Sequence, residues 1–223
     1  MLDHQTYIYP AAPETKSSVT VTILVINVVV FLLQNALDYY TRLPIWDLFA
    51  LSQSGLGHGY LWQLLTFQFM HAPLWQSGIL HILLNCWAIY VFGPPLEAVL
   101  GKAGFLKLYL SSGVFGGLLQ ILGGVLWPAH FGVGPVVGAS AGAFGLVAAF
   151  ATLYPRQHLT LLLFFVIPFR MSAKRLLWFS GLLALLGIVF PGSHVAHAAH
   201  LGGMLTGVVY LRWKIHRHRQ PAI

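Results

Sequence analysis

From Ser18 to Leu37 the chain runs for twenty residues without one charged side chain. Wound as a helix at ~1.5 Å per residue, such a run matches the ~30 Å hydrocarbon thickness of a bilayer. Comparable apolar runs recur at about Gly78–Gly93, Gly104–Leu126, Ala139–Tyr154, Lys174–Phe190 and Val195–Trp213. In lipid the backbone polar groups have only one another as partners, so apolar runs of this length have to be helices. Charged residues make up 8% of the chain and hydrophobic ones 57%, which no soluble domain of this size requires. The expectation is an all-α polytopic membrane protein built as a six-transmembrane-helix bundle.

Three intervals interrupt the pattern. Residues 38–77 are broken by Pro44, Gly55, Gly57, Gly59 and Pro73. They carry Trp46, Phe49, Tyr60, Trp62, Phe67 and Trp75, aromatic residues suited to the headgroup layer. We read them as a long interfacial first loop, with a short helix near Tyr60–Met70. Trp127–Val137 is uncharged and broken by glycine and proline, so it can enter the membrane only where protein or water covers it. His158–Phe169 is apolar but too short to span, and reads as an interfacial segment. Residues 1–17 read as a short cytoplasmic lead, 18–213 as one six-span domain and 214–223 as a basic cytoplasmic tail. No cleaved signal peptide is expected, because no basic stretch precedes an apolar one before residue 18.

The net charge of +7 is a topology signal. If the spans alternate, Lys16, Lys102, Lys107, Arg156, Arg170, Lys174, Arg175, Arg212, Lys214, Arg217 and Arg219 share one side and Arg42 alone lies opposite. Positive residues stay inside, so both termini are expected in the cytoplasm and the start of the fourth span toward the outer face. The basic residues form no patch, so no nucleic-acid partner is expected. The single Cys86 excludes an internal disulfide and a multi-cysteine metal site.

Within this frame the stretch Gly138-Ala139-Ser140-Ala141-Gly142-Ala143-Phe144-Gly145 stands out. Small residues let a neighbouring helix approach closely, and a packing face is one reading. They also leave room for a carbonyl at the Ser140 hydroxyl. Serine is a weak nucleophile until a base and oxyanion donors are placed beside it.

Histidine supplies a base that is inexpensive to bury when neutral. His81 and Asn85 stand four residues apart and share a helix face, as do His197 and His200, three apart. His81 and Asn85 can satisfy each other or a carbonyl; at the depth of Ser140 they can also donate to an oxyanion. Gly203 and Gly207 form a small-xxx-small pair after His200. If that face meets Gly142 and Gly145, His200 reaches Ser140, with Phe144 packed under the imidazole. The five acids, Asp3, Glu14, Asp38, Asp47 and Glu97, fall outside the spans. A Ser-His dyad is therefore expected rather than a triad. His-Glu-x-x-His is absent, which disfavours that type of zinc protease. A divalent ion or haem held by His81, His197 and His200 remains the alternative from another class.

Taken together, Gly138-x-Ser140, His81-x-x-x-Asn85 and His197-x-x-His200-x-x-Gly203 resemble the rhomboid intramembrane serine proteases. The likeness extends through Trp62-Gln63-Leu64-Leu65-Thr66, Phe69-Met70-His71, Phe92-Gly93 and Leu96-Glu97, and covers about residues 20–210. It implies Ser140 as nucleophile and His200 as general base. It implies an oxyanion hole of His81, Asn85 and the Ser140 N–H, with Gly138, Gly142, Phe144, His197 and Gly203 in support. The implied substrates are single-span or multi-span membrane proteins, cut within the bilayer, with no cofactor, in a bacterial-type plasma membrane. Two positions depart from the family: Ala141 where many members have glycine, and Gln63 where many have arginine. A rhomboid-like chaperone without catalysis is a further alternative, and it would be expected to have lost Ser140 or His200.

Overall fold

The computed structural model describes residues 18–131, 134–163, 167–190, 192 and 195–219; the lead 1–17 lies outside them. The chain is mostly helical. Helix α1 (Val19–Tyr40) begins at Ser18, whose hydroxyl accepts the Val21 N–H. A more distant group completes the start. The Glu97 carboxylate accepts from Val19 N at 2.7 Å, Thr20 N at 2.9 Å, and the Ser18 and Thr20 hydroxyls at 2.8 and 2.7 Å. An anion there meets free N–H groups and the positive end of the helix dipole.

The two faces of α1 reverse the soluble pattern. Leu32 is 62% exposed, whereas Asn27 and Gln34 on the inward face are 0% and 4% exposed. Apolar residues outside and amides inside suit a hydrocarbon surround. By length and composition α1 and α5 (Gly78–Leu126) are long and apolar enough to cross a membrane.

Helix α5 corrects the expected boundaries. The second span was expected to end at about Gly93, but the helix continues through Pro94 and Pro95, and its backbone breaks at Gly101, where φ is +69°. Burial overrides the lost hydrogen bonds: Phe92, Gly93 and Leu96 are buried, and a Cβ at Gly93 would lie 2.6 Å from the Thr20 side chain. The break is obligatory. His81 packs against Gly138 and Gly116 against Ala141, neighbouring positions, while a straight helix would part His81 and Gly116 by ~50 Å. The chain therefore turns back at Gly101, where glycine accommodates the positive φ.

Between α1 and α5 lie α2 (Ile45–Phe49), α3 (Gln53–Gly57), α4 (Gln63–Thr66) and a tight turn at Leu74–Gln76. The helix expected near Tyr60–Met70 is only the single turn of α4. This segment does not merely rest on a surface, since Ala50, Leu51, Gln63, Gln68 and His71 are fully buried. After α5 come α6 (Pro128–Phe131) and a backbone pair between Leu51 and Val136, at 3.0 and 2.8 Å. Then follow α7 (Ser140–Leu153), α8 (Ala173–Val189) and α9 (His197–Arg219). The fourth and fifth runs are thus helices with nearly the expected bounds. The basic residues from Lys214 continue α9 as helix, where a tail was expected.

The all-α expectation is corrected between α7 and α8. Strands β1 (His158–Leu163) and β2 (Ile167–Ser172) form an antiparallel hairpin, pairing Leu159 with Met171 and Thr160 with Arg170. Pro168 opposes continuation as helix, and the cross-strand ladder satisfies the backbone instead. The core joins α1, α5, α7 and α9 through Ile23, Ile89, Phe92, Leu108, Tyr109, Leu146, Phe150 and Leu211.

Candidate active site

Ser140 is the first residue of α7. Its approach is fixed by Gly138, whose φ of +130° other residues rarely adopt. The Gly138 N–H donates to the Phe67 carbonyl at 2.9 Å, and the Leu51–Val136 pair holds the chain just before it. Two ties to the 38–77 segment therefore set where α7 begins.

His200 approaches from α9, with Nε2 2.8 Å from Ser140 Oγ. Its ring lies 4.4 Å from the Phe144 ring at a 33° tilt, the packing expected from the spacing. The closeness of the helices rests on glycine. A Cβ at Gly203 would collide with the Ala141 carbonyl, and one at Gly207 with the Gly145 carbonyl. Gly145 thus meets α9 as expected. Gly142 does not: it faces α5, where a Cβ would lie 2.7 Å from the Tyr109 ring. Ala141 is buried where its methyl faces Gly116, so the departure from glycine is accommodated. His197 stacks over Gly187 of α8, and its ring is 6.1 Å from that of His200 at a steep angle.

Sequence reasoning missed Gln120. Its Oε1 accepts from Ala198 N at 3.1 Å and Ala199 N at 3.3 Å, capping α9 from α5 just before His200. A buried glutamine among glycines was the available signal. Of the three described carboxylates, Asp38 bonds Trp46, Glu97 bonds the start of α1, and Asp47 lies in α2; the His200 ring bonds Ser140.

His81 faces the same space from the first turn of α5. A Cβ at Gly138 would lie 2.8 Å from His81 Nε2 and 3.6 Å from Ser140 Oγ, so all three border one small volume. Asn85, one turn further along α5, is 5% exposed, and its Nδ2 has no hydrogen-bond partner among the described residues. A buried amide donor left open in this way is expensive unless something accepts from it. His71 packs beside His81, with ring centroids 5.1 Å apart. Burial, and then the neighbouring His81 ring, push the His71 imidazole down to about 3, against a weaker contrary effect of the Phe69 carbonyl, so it is neutral near pH 7. Among the described residues no three of His, Cys, Asp and Glu group as metal ligands. The structure therefore brings Ser140, His200, Phe144, His81 and Gly138 together, with Asn85 adjacent. It leaves His197 beside His200, and Gly142 and Gly203 as packing positions.

The rhomboid domain family model matches residues 58–217. Over 149 residues the chain is 34% identical to presenilin-associated rhomboid-like protein A, mitochondrial, of Danio rerio, covering 66% of this chain and 38% of that protein. Over 150 residues it is 33% identical to Rhomboid protein 1, mitochondrial, of Saccharomyces cerevisiae, covering 64% of this chain and 38% of that protein. Over 96 residues it is 36% identical to YdcA of Bacillus subtilis, covering 43% of each. The first two relatives are thus much longer, and the match accounts for well under half of their length.

Proposed function

The chain belongs to the rhomboid family, and from that membership we propose that it is a serine endopeptidase cutting membrane-protein segments with a Ser140–His200 dyad. The observation that carries the reading is the 2.8 Å contact between His200 Nε2 and Ser140 Oγ. At that distance His200 accepts the hydroxyl proton as Oγ attacks the scissile carbonyl. The carbonyl oxygen becomes an oxyanion and moves toward His81 Nε2, Asn85 Nδ2 and the Ser140 N–H at the start of α7. The vacant donor of Asn85 is thereby satisfied, and the helix dipole favours the charge. His200 then protonates the leaving amine, which departs and leaves an acyl-serine. Water, deprotonated by His200, releases the acid.

The reading includes a six-span arrangement for residues 18–213, with α5 contributing two spans about Gly101. Both termini would face the inner side and Ser140 the outer side, following the distribution of basic residues. The bacterial-type plasma membrane has no support in the mitochondrial names of two relatives, so a membrane is proposed without a compartment. The substrates are helices that unwind readily. A nucleophile needs an extended peptide, so glycine near the outer end of a substrate span raises cleavage. The crowded Gly138 neighbourhood favours a small residue at the cut.

The test is cleavage of a generic single-span substrate by purified protein in liposomes, in excess chelator. Full activity there, lost in Ser140→Ala, is the expected result. Activity that needs a divalent ion would instead favour His81, His197 and His200 as ligands. Absence of cleavage by any preparation would leave the non-catalytic chaperone reading.

A further inference from the structure

His81 is an oxyanion donor only in one tautomer. A neutral imidazole carries its hydrogen on Nδ1 or on Nε2, and the partner of one nitrogen decides which. In this chain the Ala72 N–H lies 3.2 Å from His81 Nδ1. A backbone N–H can only donate, so Nδ1 accepts and the hydrogen sits on Nε2, the atom bordering Gly138 and Ser140. The other tautomer would direct a lone pair at the developing negative charge.

The position of the Ala72 N–H is itself controlled from α1. Gln34, 4% exposed, holds the His71 backbone at both ends of its amide: Nε2 donates to the His71 carbonyl, and Oε1 accepts the His71 N–H at 3.0 Å. The next residue, Asn35, accepts the Leu74 N–H at 3.0 Å and anchors itself by donating to the Phe31 carbonyl at 2.8 Å. On the opposite side the first turn of α5 closes in. A Cβ at Gly78 would collide with the Ala72 carbonyl, and the Gly78 N–H donates to the Pro73 carbonyl at 3.2 Å. The Ala72 amide is thus gripped between two α1 amides and the start of α5.

We propose that Gln34 and Asn35 are positioning residues, which hold the 71–74 turn so that the Ala72 N–H locks His81 as the Nε2–H tautomer facing Ser140. The inference rests on the endopeptidase reading for its kinetic consequence, but not for its structural one. A misplaced turn weakens the Ala72 contact and lets His81 sample the wrong tautomer. The loss falls on the step in which charge develops rather than on substrate binding.

The experiment labels histidine with nitrogen-15 in the full chain in liposomes and reads the tautomer of His81, alongside cleavage kinetics. The wild type should show His81 protonated on Nε2 with a bare Nδ1. Gln34→Met, close in volume but unable to bond, should mix the tautomers. It should lower kcat about ten- to a hundredfold, with KM within about twofold. A wild-type His81 protonated on Nδ1 overturns the proposal. So does a Gln34→Met protein that loses kcat with an unchanged His81 spectrum, or one that keeps kcat. If Gln34→Met does not fold, Asn35→Ala, which frees the Leu74 N–H and removes the bond to the Phe31 carbonyl, is read by the same two measures. A protein without cleavage whose His81 is Nε2–H, and becomes mixed in Gln34→Met, sustains the positioning role while the endopeptidase reading fails.

Discussion

Two halves of the candidate site are held by different physics. Ser140 and His200 are brought together by α7 and α9 meeting backbone to backbone, with Gly203 against the Ala141 carbonyl and Gly207 against the Gly145 carbonyl. No side chain lies between them at these points. His81 belongs to the other half, where buried amides do the holding: Gln34 on His71, Asn35 on Leu74 and Gln63 on the 47–52 turn. In hydrocarbon, helix association relies on close van der Waals packing and on hydrogen bonds that have no competing water. Each half uses one of these. The first should fail by steric collision, the second by leaving a polar group unpaired.

The largest effect expected is on the pair the first half brings together. Ser140→Ala and His200→Ala should each lower cleavage at least about ten-thousandfold in a folded protein. The double variant should be no worse than either single one, because on the proposed mechanism each loss already removes the nucleophile–base unit. Additive losses would separate the two residues.

Asn85 tests the donor half directly. Its buried Nδ2 has no hydrogen-bond partner among the described residues, and on the proposed mechanism it finds an acceptor as charge develops on the substrate. Asn85→Ala should lower kcat about a hundred- to a thousandfold, ~2.7–4 kcal/mol, with little change in KM. A variant that raises KM at constant kcat would place Asn85 in ground-state binding.

Steric failure of the first half is measured by stability. Gly203→Val drives a branched side chain into the Ala141 carbonyl and should destabilise by ~2–3 kcal/mol in equilibrium unfolding. Gly181 of α8 provides the contrast, since a Cβ there meets nothing within 4 Å. Gly181→Ala should stabilise by ~0.5–1 kcal/mol through helix propensity. Equal costs at both positions would mean that the Gly203 approach is not a constraint.

The same division explains what the sequence made legible. Helix-period spacing exposed part of the packed half: it put Phe144 one turn from Ser140 and His200 on the Gly203–Gly207 face. The meeting of Ser140 with His200 was conditional on the two small-residue faces packing, and their roles were implied by the family resemblance. The role of Gly142 was not exposed, because a glycine at a three-helix junction does not say which neighbour it admits. The amide half was hidden for a different reason. Gln34–His71 and Gln63–Asp47 join side chain to backbone across irregular chain, and no periodicity records such pairs. As a polar residue in an apolar run Gln34 reads as bonding to a neighbouring helix, whereas it bonds the His71 backbone of the 38–77 segment. The hairpin at 158–172 escaped because a short apolar run is compatible with helix or strand until its pairing partner is known.

A more local loss sharpens the contrast at the position where this chain has glutamine and many family members have arginine. Gln63 is fully buried, and its amide makes two backbone bonds, accepting the Ser52 N–H at 3.1 Å and donating to the Asp47 carbonyl at 2.7 Å. Gly55 presses on that amide so closely that a Cβ there would collide with it. Gln63→Leu keeps the volume but orphans one donor and one acceptor. A loss of ~1–2 kcal/mol is expected, within the range for an unpaired buried group. Because the bonds are local, the cost should appear first as faster hydrogen exchange at Ser52, with α7 and α9 amides unchanged. Gln63→Arg is the sharper case. A guanidinium can donate to the Asp47 carbonyl, but it cannot accept from the Ser52 N–H, and it needs the room that Gly55 closes. It should therefore exchange at Ser52 at least as fast as Gln63→Leu. Protection of Ser52 in Gln63→Arg equal to the wild type would show that the loop rebuilds itself around arginine. In that case the amide half would be adjustable, and the rigid part of the site would be the glycine-packed half alone.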